Sequence, residues 1–195
     1  MSSRDAILSA TKANQPALSP LPPLNVFENP ATADVQRYIN TLQGIGGRVF
    51  KVKDMAEIKA IIATEFASAK RIISTIDDLP IGTDNTWKSI DPHLLETVDL
   101  AIIQPKFGVA ENGAVWITED ELTVRVLPFI CEHLAAVLPQ SSLVETMHQA
   151  YDIIADGTYG FGVFIAGPSK TADIEQSLVL GAHGPKTMTI FLLED

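Results

Sequence analysis

The chain of 195 residues is poor in cysteine and in positive charge, and it holds no long apolar run. With Cys131 alone, neither a disulfide framework nor a cysteine-held iron–sulfur cluster can be built within one chain. Its 14 lysines and arginines against 24 acidic residues leave a net charge of −10. That balance argues against nucleic acid or an anionic membrane as a main partner, because both require a positive footprint. A small anion is not excluded, since it senses only the local field. No stretch approaches the roughly 18 apolar residues of a membrane span, and the opening MSSRDAILSATKAN lacks the apolar segment of a secretory signal. The expectation is a soluble, cytoplasmic protein. Several catalytic signatures are missing as well. There is no G-x-x-x-x-G-K-[ST], no G-x-S-x-G and no H-E-x-x-H, and Gly44-Ile-Gly-Gly47 lies after a helix pattern and before a strand, the wrong context for a dinucleotide loop.

What is present is an α/β pattern with 46% hydrophobic residues, enough to bury one core. Residues 2–13 read as a short helix with Ile7 and Leu8 on its apolar side. Five prolines between Gln15 and Pro30 then prevent its continuation. The expected division is an N-terminal helix and Pro-rich arm over 1–30 and one domain over 31–195. In that domain Thr32 is a plausible N-cap for a helix carrying Val35, Tyr38, Ile39 and Leu42, with Gly44 as its stop. Gly47–Val52, Arg71–Ile76, Val98–Ile103, Glu132–Leu138 and Thr187–Leu193 read as strands. Asp54-Met-Ala-Glu57 caps a helix with Ile58, Ile61, Ile62 and Phe66 on one face, and a short helix is expected around 91–97. Successive β-α-β units imply a mostly parallel sheet flanked by helices. Asn112-Gly113 between two apolar stretches signals an inserted antiparallel hairpin. A long helix is expected from Leu143 through Ile154.

Three candidate sites stand out. The first is Gly167-Pro-Ser169-Lys170-Thr171, which follows the apolar stretch 161–166. A helix starting near Ser169 would offer free N–H groups, two hydroxyls and Lys170 to an anion. The plain alternative is an ordinary helix start capped by Ser169 or Thr171, with Asp173 and Glu175 favouring the dipole. The second is Gly181-Ala-His183-Gly184-Pro185, where His183 could titrate near neutrality or merely bond a turn carbonyl. In open α/β sheets such loops hold ligands beyond the carboxyl ends of the strands. The third is Glu111, a carboxylate on the hairpin turn that could act as nucleophile or base, or simply be solvated. His93, His133 and His148 are weaker, and His148 with Asp152 at i, i+4 fits a solvated helix face better than a metal site. Lys106, just past a strand, is a further candidate for an anion contact on its position alone, and Glu119, Asp120 and Glu121 read as a solvated strand end.

With these residues in view, the chain resembles the lactate-utilization protein C family, the LUD-domain proteins. Gly108-Val-Ala-Glu111-Asn-Gly113 is similar to that family's G-[IV]-A-E-[ST]-G segment, with Asn112 in place of Thr or Ser. Gly167-Pro-Ser-Lys-Thr-Ala-Asp-Ile-Glu175 and Gly181-Ala-His-Gly-Pro185 match its G-P-S-x-T-A-D-I-E and G-x-H-G-P, with Lys170 where Arg is frequent. The resemblance implies a fold like the NagB/RpiA/CoA-transferase group and a role in oxidising L-lactate to pyruvate. It also implies work beside two iron–sulfur proteins, this chain being the cluster-free member without a cofactor of its own. The resemblance supplies no catalytic residue; the expectation from the residues themselves is a small carboxylate or phosphate held by Gly167, Ser169, Lys170, Thr171 and Gly184, with Glu111 or His183 handling a proton. A rival comes from the same fold group. Class I CoA-transferases use a glutamate in an S-E-N-G segment as nucleophile, and Ala110-Glu111-Asn112-Gly113 resembles it apart from the first residue. A third reading is a non-catalytic module whose arm docks on a partner.

Overall fold

The computed structural model describes residues 2–20, 22, 32–82, 84, 86–155, 157–171 and 179–195. Helix α1 (Ser3–Ala13) is closed at its start by a reciprocal capping box between Ser2 and Asp5. It buries no residue, and the apolar side expected for it, Ile7 and Leu8, is more than half exposed. Helix α2 (Val35–Gly44) starts two residues later than a cap at Thr32 would place it. Its cap is Asp34, whose carboxylate accepts from the N–H groups of Gln36 and Arg37 at 2.8 and 3.2 Å. Strand β1 (Arg48–Val52) leads to α3 (Met55–Glu65), where the D-x-x-E spacing acts as expected. Asp54 accepts from the Glu57 N–H and Glu57 from the Lys53 N–H, both at 2.9 Å.

Strand β2 (Ile72–Ser74) is shorter than the predicted Arg71–Ile76, and β3 (Leu100–Ile103) starts later than Val98, after a 3-10 turn over Pro92–Thr97. Strands β4 (Phe107–Val109) and β5 (Ala114–Thr118) form the predicted hairpin, with Val109 opposite Ala114. The acidic run is not a solvated strand end. It opens the short helix α4 (Glu119–Leu122), where the Glu121 carboxylate accepts from the N–H and hydroxyl of Thr118 at 2.9 and 2.8 Å. Helix α5 (Leu127–Ile130) precedes β6 (His133–Pro139). The expected long helix is also corrected. Leu143–Val144 form strand β7, paired parallel with Gly108 and Val109, and Thr146 caps α6 (Met147–Ile154) only after it. Strands β8 (Gly162–Ile165), β9 (Lys170–Thr171), β10 (Val179–Leu180) and β11 (Thr187–Leu193) complete the described chain.

The central sheet runs β1-β11-β6-β3-β2, and all four of its pairings are parallel. The first β-α-β unit therefore spans the sheet, placing β1 and β2 at opposite edges rather than side by side. Alternation along the strands sorts the core into two faces. Leu100, Ile102, Ala135, Val137 and Phe191 meet Ile58 and Ile62 of α3 and Phe66 at its C-cap. Ala101, Ile103, Leu134, Ala136, Leu138 and Ile190 meet Tyr38 and Leu42 of α2, together with Val115 and Ile117 of a second sheet. That second sheet, β7-β4-β5-β8, is assembled from the two long insertions after β3 and after β6. Its far side carries Phe107, Val109 and Trp116 against Ala150 of α6. The molecule is thus α3, parallel sheet, α2 with the second sheet, and α6, in four layers. No helix among the described residues is long and apolar enough to cross a membrane.

Candidate functional site

The two C-terminal motifs converge on Ser169. Its N–H donates to the Pro185 carbonyl at 2.9 Å and its carbonyl accepts from the Gly181 N–H at 3.0 Å. Its hydroxyl accepts from the His183 N–H at 3.3 Å, and a Cβ on Gly184 would lie 3.3 Å from the Ser169 Cβ. Small residues are needed here because two loops share one side chain's space.

The same knot rests on the end of α2. Gly167 holds φ at +73°, and a Cβ there would lie 3.1 Å from Ile45. The Lys170 ammonium donates to the Ile45 carbonyl, an orphan acceptor at the helix C-terminus where a cation is favoured. One of its three donors is thus committed to the fold. The Thr171 hydroxyl donates to the Val179 carbonyl at 3.3 Å, closing the β9–β10 ladder.

Two expectations are corrected. No helix begins at Ser169, since Lys170 and Thr171 are extended and pair antiparallel with Leu180 and Val179. An anion at this knot would meet side-chain donors rather than a helix N-terminus. Asp173 and Glu175 lie outside the described residues. The second correction concerns position. The Gly181–Pro185 loop feeds β11, which pairs parallel with β6 from Thr187 opposite His133. It therefore stands at the amino end of the parallel sheet, not at the carboxyl end. Strand direction decides this, and direction follows from pairing that the local sequence does not show.

Glu111 is held elsewhere. Its carboxylate accepts from the Met147 N–H at 2.7 Å, the first residue of α6, and its own N–H donates to the Glu145 carbonyl at 3.0 Å. A carboxylate against a helix N-terminus is favourably placed as a cap. Both groups border α2 through different neighbours: the hairpin turn at Leu42 and the serine knot at Ile45. His93 is solvent-exposed, with Nδ1 2.8 Å from Asp91. His148 and Asp152 share α6, and no group of three potential metal ligands occurs among the described residues.

The sequence reading gave little weight to the residues beside the knot at the amino edge. Lys186, next after Pro185, donates its N–H to the Glu132 carbonyl and its ammonium to the Glu132 carboxylate, both at 2.8 Å. From there opens a polar cavity of about 440 Å³, lined among others by Arg48, Asp99, His133 and Thr187. Arg48 bonds Glu65 at 3.0 Å and Thr189 at 3.1 Å, and its buried Nε has no hydrogen-bond partner among the described residues. His133 Nδ1 lies 2.8 Å from the Thr187 hydroxyl, and partial burial holds the imidazole below its ordinary pKa. Asp99 is held below the usual carboxylate range by the Arg71 and Lys70 N–H groups. Strand starts carry no local motif, so only the parallel register brings these side chains together.

Comparison with known proteins gives a consistent picture. The LUD domain family profile matches residues 91–193, more than half of the chain. Lactate utilization protein C of Oceanobacillus iheyensis is 30% identical over 132 residues, covering 65% of this chain and 54% of that protein. Its namesake in Bacillus subtilis is 34% identical over 124 residues, covering 60% and 49%. The chain thus spans about half the length of the relatives it matches. A DUF162 family protein from Deinococcus radiodurans, solved as a crystal structure, superposes with a TM-score of 0.59 at 16% identity. It covers 82% of this chain and 95% of its own. That likeness supports the α/β fold.

Proposed function

Because the chain belongs to the LUD domain family, on a match over more than half its length, we propose that it serves lactate utilization as a small-anion-binding component. In this reading it carries no cofactor and works beside two iron–sulfur proteins that perform the electron transfer from lactate to pyruvate. The observation that carries the site is the convergence of two loops, 14 residues apart in sequence at His183 and Ser169, on one serine. Around it, Ser169, Lys170 and His183 supply hydroxyl, ammonium and imidazole donors, and Gly167 and Gly184 keep the backbone close. A carboxylate of L-lactate or pyruvate matches that donor set in charge and size. Lys170 would hold the carboxylate with the donors left free by Ile45, and His183 would exchange a proton with the hydroxyl or keto oxygen.

The exposed α1 fits a docking element for the protein partners. It is a capped, preformed helix whose Ile7 and Leu8 face solvent.

Calorimetric titration with L-lactate and pyruvate, on the intact chain and on Lys170→Ala and His183→Ala, tests the site. Saturable binding, weakened at least tenfold by either substitution, supports it, and unchanged binding in both overturns it. Growth of a deletion strain on L-lactate tests the role. Restoration by the intact gene and not by one lacking residues 1–20 supports the arm as a docking element. Undiminished growth of the deletion strain removes the role altogether.

A further inference from the structure

A second cavity, of about 460 Å³, lies on the far side of the small sheet under α6. It does not depend on the serine knot or on any role in lactate metabolism. Its position follows the rule that the knot breaks. β3 ends at Ile103 and its parallel neighbour β6 at Pro139, and the cavity is lined by Lys106 and Ser141, just beyond those two carboxyl ends. Such crevices are where α/β sheets hold ligands.

The lining defines the chemistry. Phe107, Trp116 and Tyr159 form aromatic walls. Phe107 and Trp116 lie stacked at 6.5 Å, and Tyr159 meets Trp116 edge-on at 5.7 Å. The polar lining mixes signs. The Lys106 ammonium lies 3.3 Å from Glu121, and Asp120 borders the same space, so the rim has no net positive field for a multiply charged anion. Ser141 and Thr158 add hydroxyls that both donate and accept. The volume lies within the range of drug- and cofactor-sized ligands and is far more than a three-carbon acid fills.

Flat walls, mixed donors and acceptors, and no excess of positive charge together select a planar ring without a phosphate. We infer that this cavity binds an uncharged heteroaromatic ring bearing hydrogen-bond donors and acceptors, of the size of a nucleobase or a fused tricycle. The ring lies flat against one aromatic wall and meets the other edge-on, as Tyr159 meets Trp116, and its polar edge meets Ser141, Lys106 and Asp120.

The test uses adenosine and lumichrome as uncharged ring probes. AMP serves as the phosphorylated comparison and cyclohexanecarboxamide as the non-aromatic one. Binding is read by thermal shift and by indole fluorescence excited at the red edge. The chain has two tryptophans, and Trp87 lines a different cavity, so Trp116→Phe identifies which indole responds. Thr158 is exposed, and Thr158→Phe narrows the mouth without touching the core. The expected result is saturable binding of at least one ring probe and quenching lost in Trp116→Phe. Affinity should fall at least tenfold in Thr158→Phe, with AMP no tighter than adenosine and cyclohexanecarboxamide inert. If Trp116→Phe does not fold, the Thr158→Phe comparison decides alone. Absence of saturable binding by both rings, equal binding by the non-aromatic amide, or affinity unaffected by Thr158→Phe overturns the assignment.

Discussion

Gly113 shows how one residue can serve two elements. Its φ of +70° closes the four-residue hairpin loop, and its N–H donates to the Val109 carbonyl at 2.9 Å. A Cβ there would also lie 3.0 Å from the Leu42 Cα of α2. Gly113→Ala therefore faces both backbone strain and a clash with main chain that cannot rotate away. A loss of about 1–3 kcal/mol is expected, read as a lower urea midpoint at unchanged slope. Gly44→Ala is the control, because nothing lies within 4 Å of a Cβ built there, and it should leave the midpoint in place. Glu145 is the second residue of this kind. Its buried carboxylate accepts from the Asp34 N–H at 2.8 Å and pairs with Arg37, joining the start of α2 to the start of α6. Glu145→Ala leaves both donors without that acceptor and should cost about 1–3 kcal/mol. Arg37→Ala should cost less, because Arg37 is 45% exposed and the freed carboxylate keeps Asp34. A double-mutant cycle in urea separates the shared part.

Among elements, one arginine just before β2 ties Asp84 to the 3-10 turn that precedes β3. Arg71 donates to Asp84 through Nε at 3.1 Å and Nη2 at 2.8 Å, and to the Leu94 carbonyl and Thr97 hydroxyl of the 3-10 turn. The bonds from Arg71 to Asp84, with those from the Thr86 N–H and hydroxyl, hold the Asp84 carboxyl down to about 2. The folded pKa is depressed, so the stabilisation is complete above the ordinary carboxylate value and is lost as pH falls through about 4 towards 2. Asp84→Asn should remove an acid-sensitive contribution on the order of 1 kcal/mol after solvent screening, flattening the melting temperature in that window and leaving it unchanged in shape near neutrality. The elements were legible in sequence wherever a side-chain period or a cap marked them. The start of α3 is marked by Asp54 and Glu57, and the Asn-Gly hairpin falls where expected. β7 was read as helix because Leu143 and Val144 carry the spacing of α6, and only pairing with β4 makes them a strand. The serine knot was legible as two separate loops. Their meeting was not, nor was the pairing of Lys170 with Ile45, because both depend on contacts between distant parts of the chain.

At the scale of the whole molecule, the parallel sheet has two chemically different ends. The carboxyl end opens on the aromatic cavity. The amino end gathers the serine knot, Arg48, Asp99, Glu132 and His133, side chains that share an edge only because β1, β11, β6 and β3 start together. His133 is the group through which that edge senses pH. Desolvation lowers its pKa, with Lys186 and Arg48 adding to the effect and Glu132 and Asp99 opposing it. The folded state thus takes up the proton later than the unfolded chain does. Stability should fall as pH drops through the ordinary histidine value of 6.5, level off below the folded value, and fall again only when the carboxylates titrate. His133→Asn keeps a partner for the Thr187 hydroxyl while removing the titration, so its melting temperature should be flat between pH 7 and 5 where the parent declines. A parent curve already flat in that interval, or an equal decline in the variant, would place the proton uptake elsewhere. Lys186→Met distinguishes the contributions further. Removing a cation that disfavours imidazolium should raise the folded pKa towards 6.5, so that the decline becomes shallower and levels off at higher pH, whereas a purely structural loss would lower the whole curve without changing its shape.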